Sequence, residues 1–180
     1  MNGVRRNFFV ACLGMIALCT KAGEDSSLKA MEGKYVNSFP NRLMNGQTYI
    51  SHNELQLLQV ASSAAYFNIH LEWANGHVCN ISGVAEADGD EAALVYRKPS
   101  IDGKTCKLII KSTGGSIEFG DEAGACRLVS CGVRGRLDGV RFSFKSREKI
   151  EGDSVRQSPN FVRAWEEYRE HAAKASQTVR

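Results

Sequence analysis

Between residues 34 and 149 the sequence is cut into short apolar runs, and the cuts are made by turn residues. Asn45-Gly46, Asn75-Gly76, Asp88-Gly89-Asp90, Gly114-Gly115 and Asp138-Gly139 supply the positive φ angles that tight hairpins demand. Between them lie strand-like segments at 35–39, 47–50, 54–60, 65–73, 78–84, 93–97, 106–111, 116–119, 127–131 and 141–145. The segment 65–73 is the clearest. Phe67, Ile69, Leu71 and Trp73 alternate with Tyr66, Asn68, His70 and Glu72, which is the period of a half-buried strand with the Phe67 set facing the core. Short strands at roughly ten-residue spacing, with no helical period before residue 150, imply a mainly β fold, a small antiparallel β-barrel or sandwich. A parallel α/β sheet would need helices between its strands.

The end of the chain reads differently. Ser158 is a good N-cap and Pro159 a good first helical residue, after which Phe161, Trp165, Tyr168 and Ala172 recur at helical spacing. A C-terminal amphipathic helix of about four turns, its aromatic stripe packed on the domain, is the expectation.

Residues 1–22 read as a signal peptide. Arg5 and Arg6 precede an uncharged run of 12 residues, 8–19, whereas a bilayer-spanning helix needs ~20. Thr20 and Ala22 suit a signal peptidase, giving a mature chain that begins at Gly23; a lipidated Cys19 is the rival, disfavoured by Leu18. The expected organisation is therefore a signal peptide at 1–22, a flexible leader at 23–33, a barrel-like domain at 34–149, and a linker with the C-terminal helix at 150–180. The compartment is periplasmic or extracellular, with no integral membrane segment in the mature chain.

Export changes the charge argument. The whole chain has 23 Lys and Arg against 20 Asp and Glu, but Arg5, Arg6 and Lys21 leave with the signal. The remainder is formally neutral, so the sequence pI of 8.5 does not point to nucleic acid. What charge there is lies unevenly. Arg127, Arg134, Arg136, Arg141, Lys145, Arg147 and Lys149 make a basic stretch, and Glu86, Asp88, Asp90 and Glu91 an acidic loop. Such poles steer charged partners.

Four cysteines stay in the exported chain: Cys79, Cys106, Cys126 and Cys131. An even number in an oxidising compartment implies disulfides. Zinc is the weaker reading, because no CxxC pair is present and only His77 stands near. The local pairing, Cys79 with Cys106 and Cys126 with Cys131, is expected; Cys79 with Cys131 and Cys106 with Cys126 is the alternative if those strands neighbour one another.

Catalytic motifs are weak. Ser82 lies in Asn80-Ile81-Ser82-Gly83-Val84, without the first glycine of a nucleophile elbow, and His52, His70, His77 and His171 form no metal-binding spacing. Asp88-Gly89-Asp90 lacks the later ligands of a calcium loop. No cofactor and no metal is expected. His77, directly after the Asn75-Gly76 turn, caps that turn or presents an imidazole at the sheet rim.

The features Asn75-Gly76-His77-Val78-Cys79, Ile81-Ser82-Gly83-Val84-Ala85, Leu94-Val95-Tyr96-Arg97, Cys106-Lys107-Leu108, Gly115-Ser116-Ile117, and Cys126 followed by Cys131-Gly132-Val133-Arg134-Gly135 and Leu137-Asp138-Gly139 occur in that order. Over about residues 34–147 this resembles a small family of exported bacterial β-rich domains of uncharacterised function, some found beside LprI-type lysozyme-inhibitor-like modules. The resemblance implies compartment and fold, and supplies no catalytic residue. The expectation for function is a non-catalytic binding module for a protein or cell-envelope component, lysozyme-inhibitor-like in one form, with His77, Ser82, Arg134 and Arg136 as binding residues. Either arginine could grip a carboxylate bidentately. A periplasmic hydrolase with an unrecognised site is the alternative, and it would need a pocket of convergent polar groups.

Overall fold

The period-two runs pair in chain order. In the computed structural model, which describes residues 28–89, 93–99 and 103–178, nine strands form one sheet: β1 (Gly33–Arg42), β2 (Thr48–Ala61), β3 (Ala64–Trp73), β4 (His77–Ala87), β5 (Ala93–Pro99), β6 (Thr105–Thr113), β7 (Ser116–Asp121), β8 (Arg141–Ser143) and β9 (Arg147–Glu148). The order is β8-β7-β6-β5-β4-β3-β2-β1-β9, and every pairing is antiparallel. The sheet curls into a nearly closed barrel. Only a 3-10 turn, Phe144–Ser146, separates β8 on one edge from β9 on the other, and Asn37 Nδ2 donates across the join to Arg141 O at 3.1 Å.

The inward side chains are those that alternation selects. Phe67, Ile69 and Leu71 of β3 are buried with Leu55, Leu108 and Phe119 from other strands in one core. The opposite face of β3 is also covered at one point, for Tyr66 lies under α4 (Pro159–Thr178). Its ring meets Phe161 edge-on with centroids 5.0 Å apart, and Phe161 stacks on Trp165. Ser158 caps the helix by accepting the Phe161 N–H at 3.2 Å. Burial of such aromatics stabilises by ~1.5–3 kcal/mol each, an upper estimate. The short α3 (Gly152–Arg156) adds Val155 to this outer cluster.

Two local expectations are corrected. Residues 47–50 and 54–60 belong to one strand, because nothing at Ser51-His52-Asn53 breaks the extended backbone. Residues 127–131 are not a strand; α2 (Ala125–Ser130) forms there because the buried Asp121 carboxylate accepts the N–H groups of Cys126 and Arg127, each at 2.9 Å. That satisfies two donors a helix start leaves open. Ahead of β1 a helical turn at 28–31 (α1) buries Leu28 and Met31 in the core, and the Tyr35 hydroxyl donates to Met31 O at 2.7 Å. The signal segment 1–22 and the leader up to residue 27 lie outside the described residues, as do Asp90 and Glu91.

The disulfides correct the expected pairing. Cys79 is bonded to Cys131, and Cys106 to Cys126. The reason is a seam in the wall: β4 and β5 pair only at Glu86↔Val95 and Ala87↔Leu94, then part. Into the opening go the Tyr96 ring, seated on Gly83, and α2. Cys126 near the start of α2 ties it to β6, while Cys131 just past its end ties it to β4. The helix is strapped across the seam from both sides. Among the described residues no helix is long and apolar enough to cross a membrane.

Candidate functional site

Strand directions place the β1–β2 turn, the β3–β4 turn and the whole of 122–140 at the same end of the barrel. There the segment after α2 lies on the β3–β4 hairpin. Cys131 bridges Cys79 by backbone as well as by sulfur, and the Gly132 N–H donates to Val78 O at 2.9 Å. Gly135 rests on the disulfide so closely that a Cβ there would lie 2.6 Å from Cys79 Sγ. Only glycine permits that approach.

Three of the four expected binding residues meet here. His77 opens β4 after Asn75, whose φ of 62° confirms the tight turn, and its ring lies against Gly132. Arg136 is held with its guanidinium over the Trp73 ring, 5.4 Å from the centroid. Arg134 is exposed and has no ion pair among the described residues. Between the anchors Val133 is 86 % exposed, and Leu128 of α2 is 49 % exposed. Trp73 escaped the sequence reading as a site residue, since alternation assigned it only to the core; its place immediately before Asn75-Gly76 was the available signal.

The rest of the basic stretch disperses. Arg141 pairs with Glu118 at 3.1 Å and holds that carboxyl below its usual range. Lys149 pairs with Glu151 at 3.3 Å, and Arg147 reaches Ala30 O while lying over Phe144. Lys145 lies in the Phe144–Ser146 turn between β8 and β9, and what remains at the disulfide end is Arg127, Arg134 and Arg136.

Ser82 is elsewhere. It faces outward from β4 into a hollow of about 260 Å³ shared with Tyr96, Val129 and Arg163. Beside it a cleft of about 400 Å³ opens between β5 and α4. Four of its polar groups are engaged across the helix–sheet contact: Lys98 Nζ pairs with Glu167 at 3.1 Å, and the Tyr168 hydroxyl donates to Glu86 at 2.9 Å. Burial, with Glu167 adding to it, pushes the Tyr96 hydroxyl up to about 12. These groups hold α4 down. Ser38 Oγ and His52 Nδ1 are 2.9 Å apart, but as an exposed cross-strand pair outside either hollow. Among the described residues no group of three or more His, Cys, Asp or Glu side chains could hold a metal ion.

Compared with family models, with curated proteins and with solved structures, the chain matches none.

Proposed function

We propose that this chain is an exported, non-catalytic binding module, and that the loop around Arg134 is its contact surface. The observation that carries the reading is the construction of that loop: a disulfide and a glycine seated on it fix residues whose side chains are left to solvent. A loop fixed in advance loses little conformational entropy on binding. Val133 offers an apolar contact, Arg134 an exposed guanidinium, and Arg136 a second one oriented by Trp73. Arginines so placed suit a carboxylate-bearing partner, either a protein cleft or an acidic envelope polymer. The resemblance to domains found beside LprI-type modules makes a lysozyme-like enzyme, with its catalytic carboxylates, the first partner to test. His77 supports the loop from beneath; Ser82 lies apart from this surface.

Export is supported by the basic and apolar segment at 1–22 and by the two disulfides. Mass spectrometry of the secreted product should find Gly23 first. For the binding surface, immobilised protein is exposed to cell-envelope extract and, separately, to lysozyme-like enzymes under activity assay. Retention or inhibition that disappears in Arg134→Glu/Arg136→Glu, with the fold intact by circular dichroism, supports the reading. Retention indifferent to both substitutions removes this loop as the surface.

A further inference from the structure

The cleft beneath α4 contains polar groups that the helix–sheet contact does not use. It exists because of the seam: β4 and β5 part after Glu86↔Val95, and α4, which packs on β4, leaves the space over the gap open. Val84 of β4, Val95 of β5 and Ala164 of α4 give it an apolar lining. Its volume of about 400 Å³ is in the range of small-molecule sites.

The polar groups of the cleft fall into two sets. Both carboxylates already hold a donor, Glu86 the Tyr168 hydroxyl and Glu167 the Lys98 ammonium. Tyr96, Arg97 and His171 line the same space and make no hydrogen bond or ion pair among the described residues. Tyr96 is 7 % exposed, with its ring packed against Gly83 and Phe67. Its hydroxyl nevertheless keeps an opening, whereas those of Tyr49 and Tyr66 are sealed. The opening is into the cleft and the adjoining hollow beside Ser82, both of which Tyr96 lines. A hydroxyl on so buried a residue ordinarily has a partner. This one holds its proton up to about 12, so at neutral pH it is a donor. Arg97 is aimed by strand alternation: Leu94 and Tyr96 enter the core, which turns Val95 and Arg97 to the helix side. Every uncommitted side chain in the cleft can therefore donate, and one of them is a cation.

We infer that this cleft binds a small amphiphilic carboxylate, its head held by Tyr96 and Arg97 and its apolar body laid along Val84, Val95 and Ala164. A carboxylate accepts from several donors at once, and a guanidinium offers it two in a fork. An ammonium head would bring no acceptor to the Tyr96 hydroxyl and would be repelled by Arg97. A neutral hydroxyl head would meet one donor and leave the charge of Arg97 unanswered. His171, three residues beyond Tyr168 on α4, adds a further donor on the exposed side. Glu86 acts against the ligand, because its partner is an uncharged hydroxyl and its own charge is not neutralised. Affinity is accordingly moderate and sensitive to that residue. The site lies apart from the Arg134 loop and does not depend on the role proposed for it.

Titration calorimetry of the purified protein with octanoate, and with octanol and octyltrimethylammonium as neutral and cationic probes of the same chain length, tests the assignment. Octanoate should bind about tenfold more tightly than octanol, and the cation should not bind. Arg97→Gln, at an exposed position, should weaken octanoate by about tenfold and leave octanol nearly unchanged, with the far-ultraviolet spectrum intact. Tyr96→Phe keeps the ring on Gly83 and should weaken octanoate as well. Glu86→Gln still accepts from Tyr168 but removes the opposing charge, so it should tighten octanoate, a gain that a purely structural role for Glu86 would not produce. Absence of octanoate binding up to about 10 mM overturns the inference, as does equal affinity for the three probes. So does octanoate binding indifferent to Arg97→Gln and Tyr96→Phe, or a Glu86→Gln variant that fails to tighten it.

Discussion

Removing the Cys79–Cys131 bond, by replacing both residues with alanine, should cost more stability than removing Cys106–Cys126. The bonds are nested. Cys106 and Cys126 are 20 residues apart and close a ring of about 21, worth ~3.3 kcal/mol on the chain-entropy relation. With that bond in place, the ring closed by Cys79–Cys131 takes a short cut through it. It runs from Cys79 to Cys106 and from Cys126 to Cys131, about 34 residues, for ~3.8 kcal/mol. Alone, the outer bond would close the whole separation of 52 residues, a ring of about 53, for ~4.2 kcal/mol. Loss of the outer bond therefore costs ~3.8 kcal/mol, whereas loss of the inner one costs ~2.9 kcal/mol, because the outer ring then lengthens. The locally paired arrangement would have given ~3.6 and ~2.2 kcal/mol for two independent rings. Denaturant titration of the oxidised variants measures both losses, and non-reducing peptide mapping of the wild type tests the connectivity. A linked peptide joining Cys79 to Cys106 would refute the reasoning, as would an outer-bond loss well under ~1 kcal/mol.

Phe161→Ala removes the ring packed on Tyr66 and should lower unfolding stability by ~3 kcal/mol in denaturant titration; no change would mean that α4 does not hold its place on the barrel in solution. Gly83→Ala drives a Cβ to 2.4 Å from the Tyr96 ring and should cost ~1–3 kcal/mol by overpacking, with Tyr96→Leu in the same chain restoring part of it. Tyr96 keeps its proton to about 12 when folded and releases it near 10.0 when unfolded, so the unfolded chain binds fewer protons between those values and stability falls as pH rises through them. Tyr35, Tyr66 and Tyr168 are shifted in the same direction, so Tyr96→Phe should flatten the alkaline slope without abolishing it; an unaltered slope in thermal melts from pH 9 to about 12.5 would contradict the assignment.

Much of the candidate site could be read from residue order. Asn75-Gly76 fixed the hairpin that presents His77, and the arginines after Cys131 marked the exposed loop. Ser82, expected as a binding residue beside them, lies on the outward face of β4, under α4 rather than at the barrel end. Trp73 was overlooked because its role depends on Arg136, 63 positions later in the numbering and near it only in space.

Strand alternation, turn chemistry and the cap of the last helix are settled within about ten residues of chain, so the sequence by itself determined a β-rich antiparallel fold with Phe67, Ile69 and Leu71 inward and α4 beginning at Pro159. Cysteine pairing is settled by which strands are neighbours, and that depends on where β4 and β5 cease to pair. The same holds for α2, whose N-terminal donors are met by an aspartate from the preceding strand. Those features exist only once the barrel has closed, because each is set by a partner distant along the chain, and only the tertiary structure could decide them.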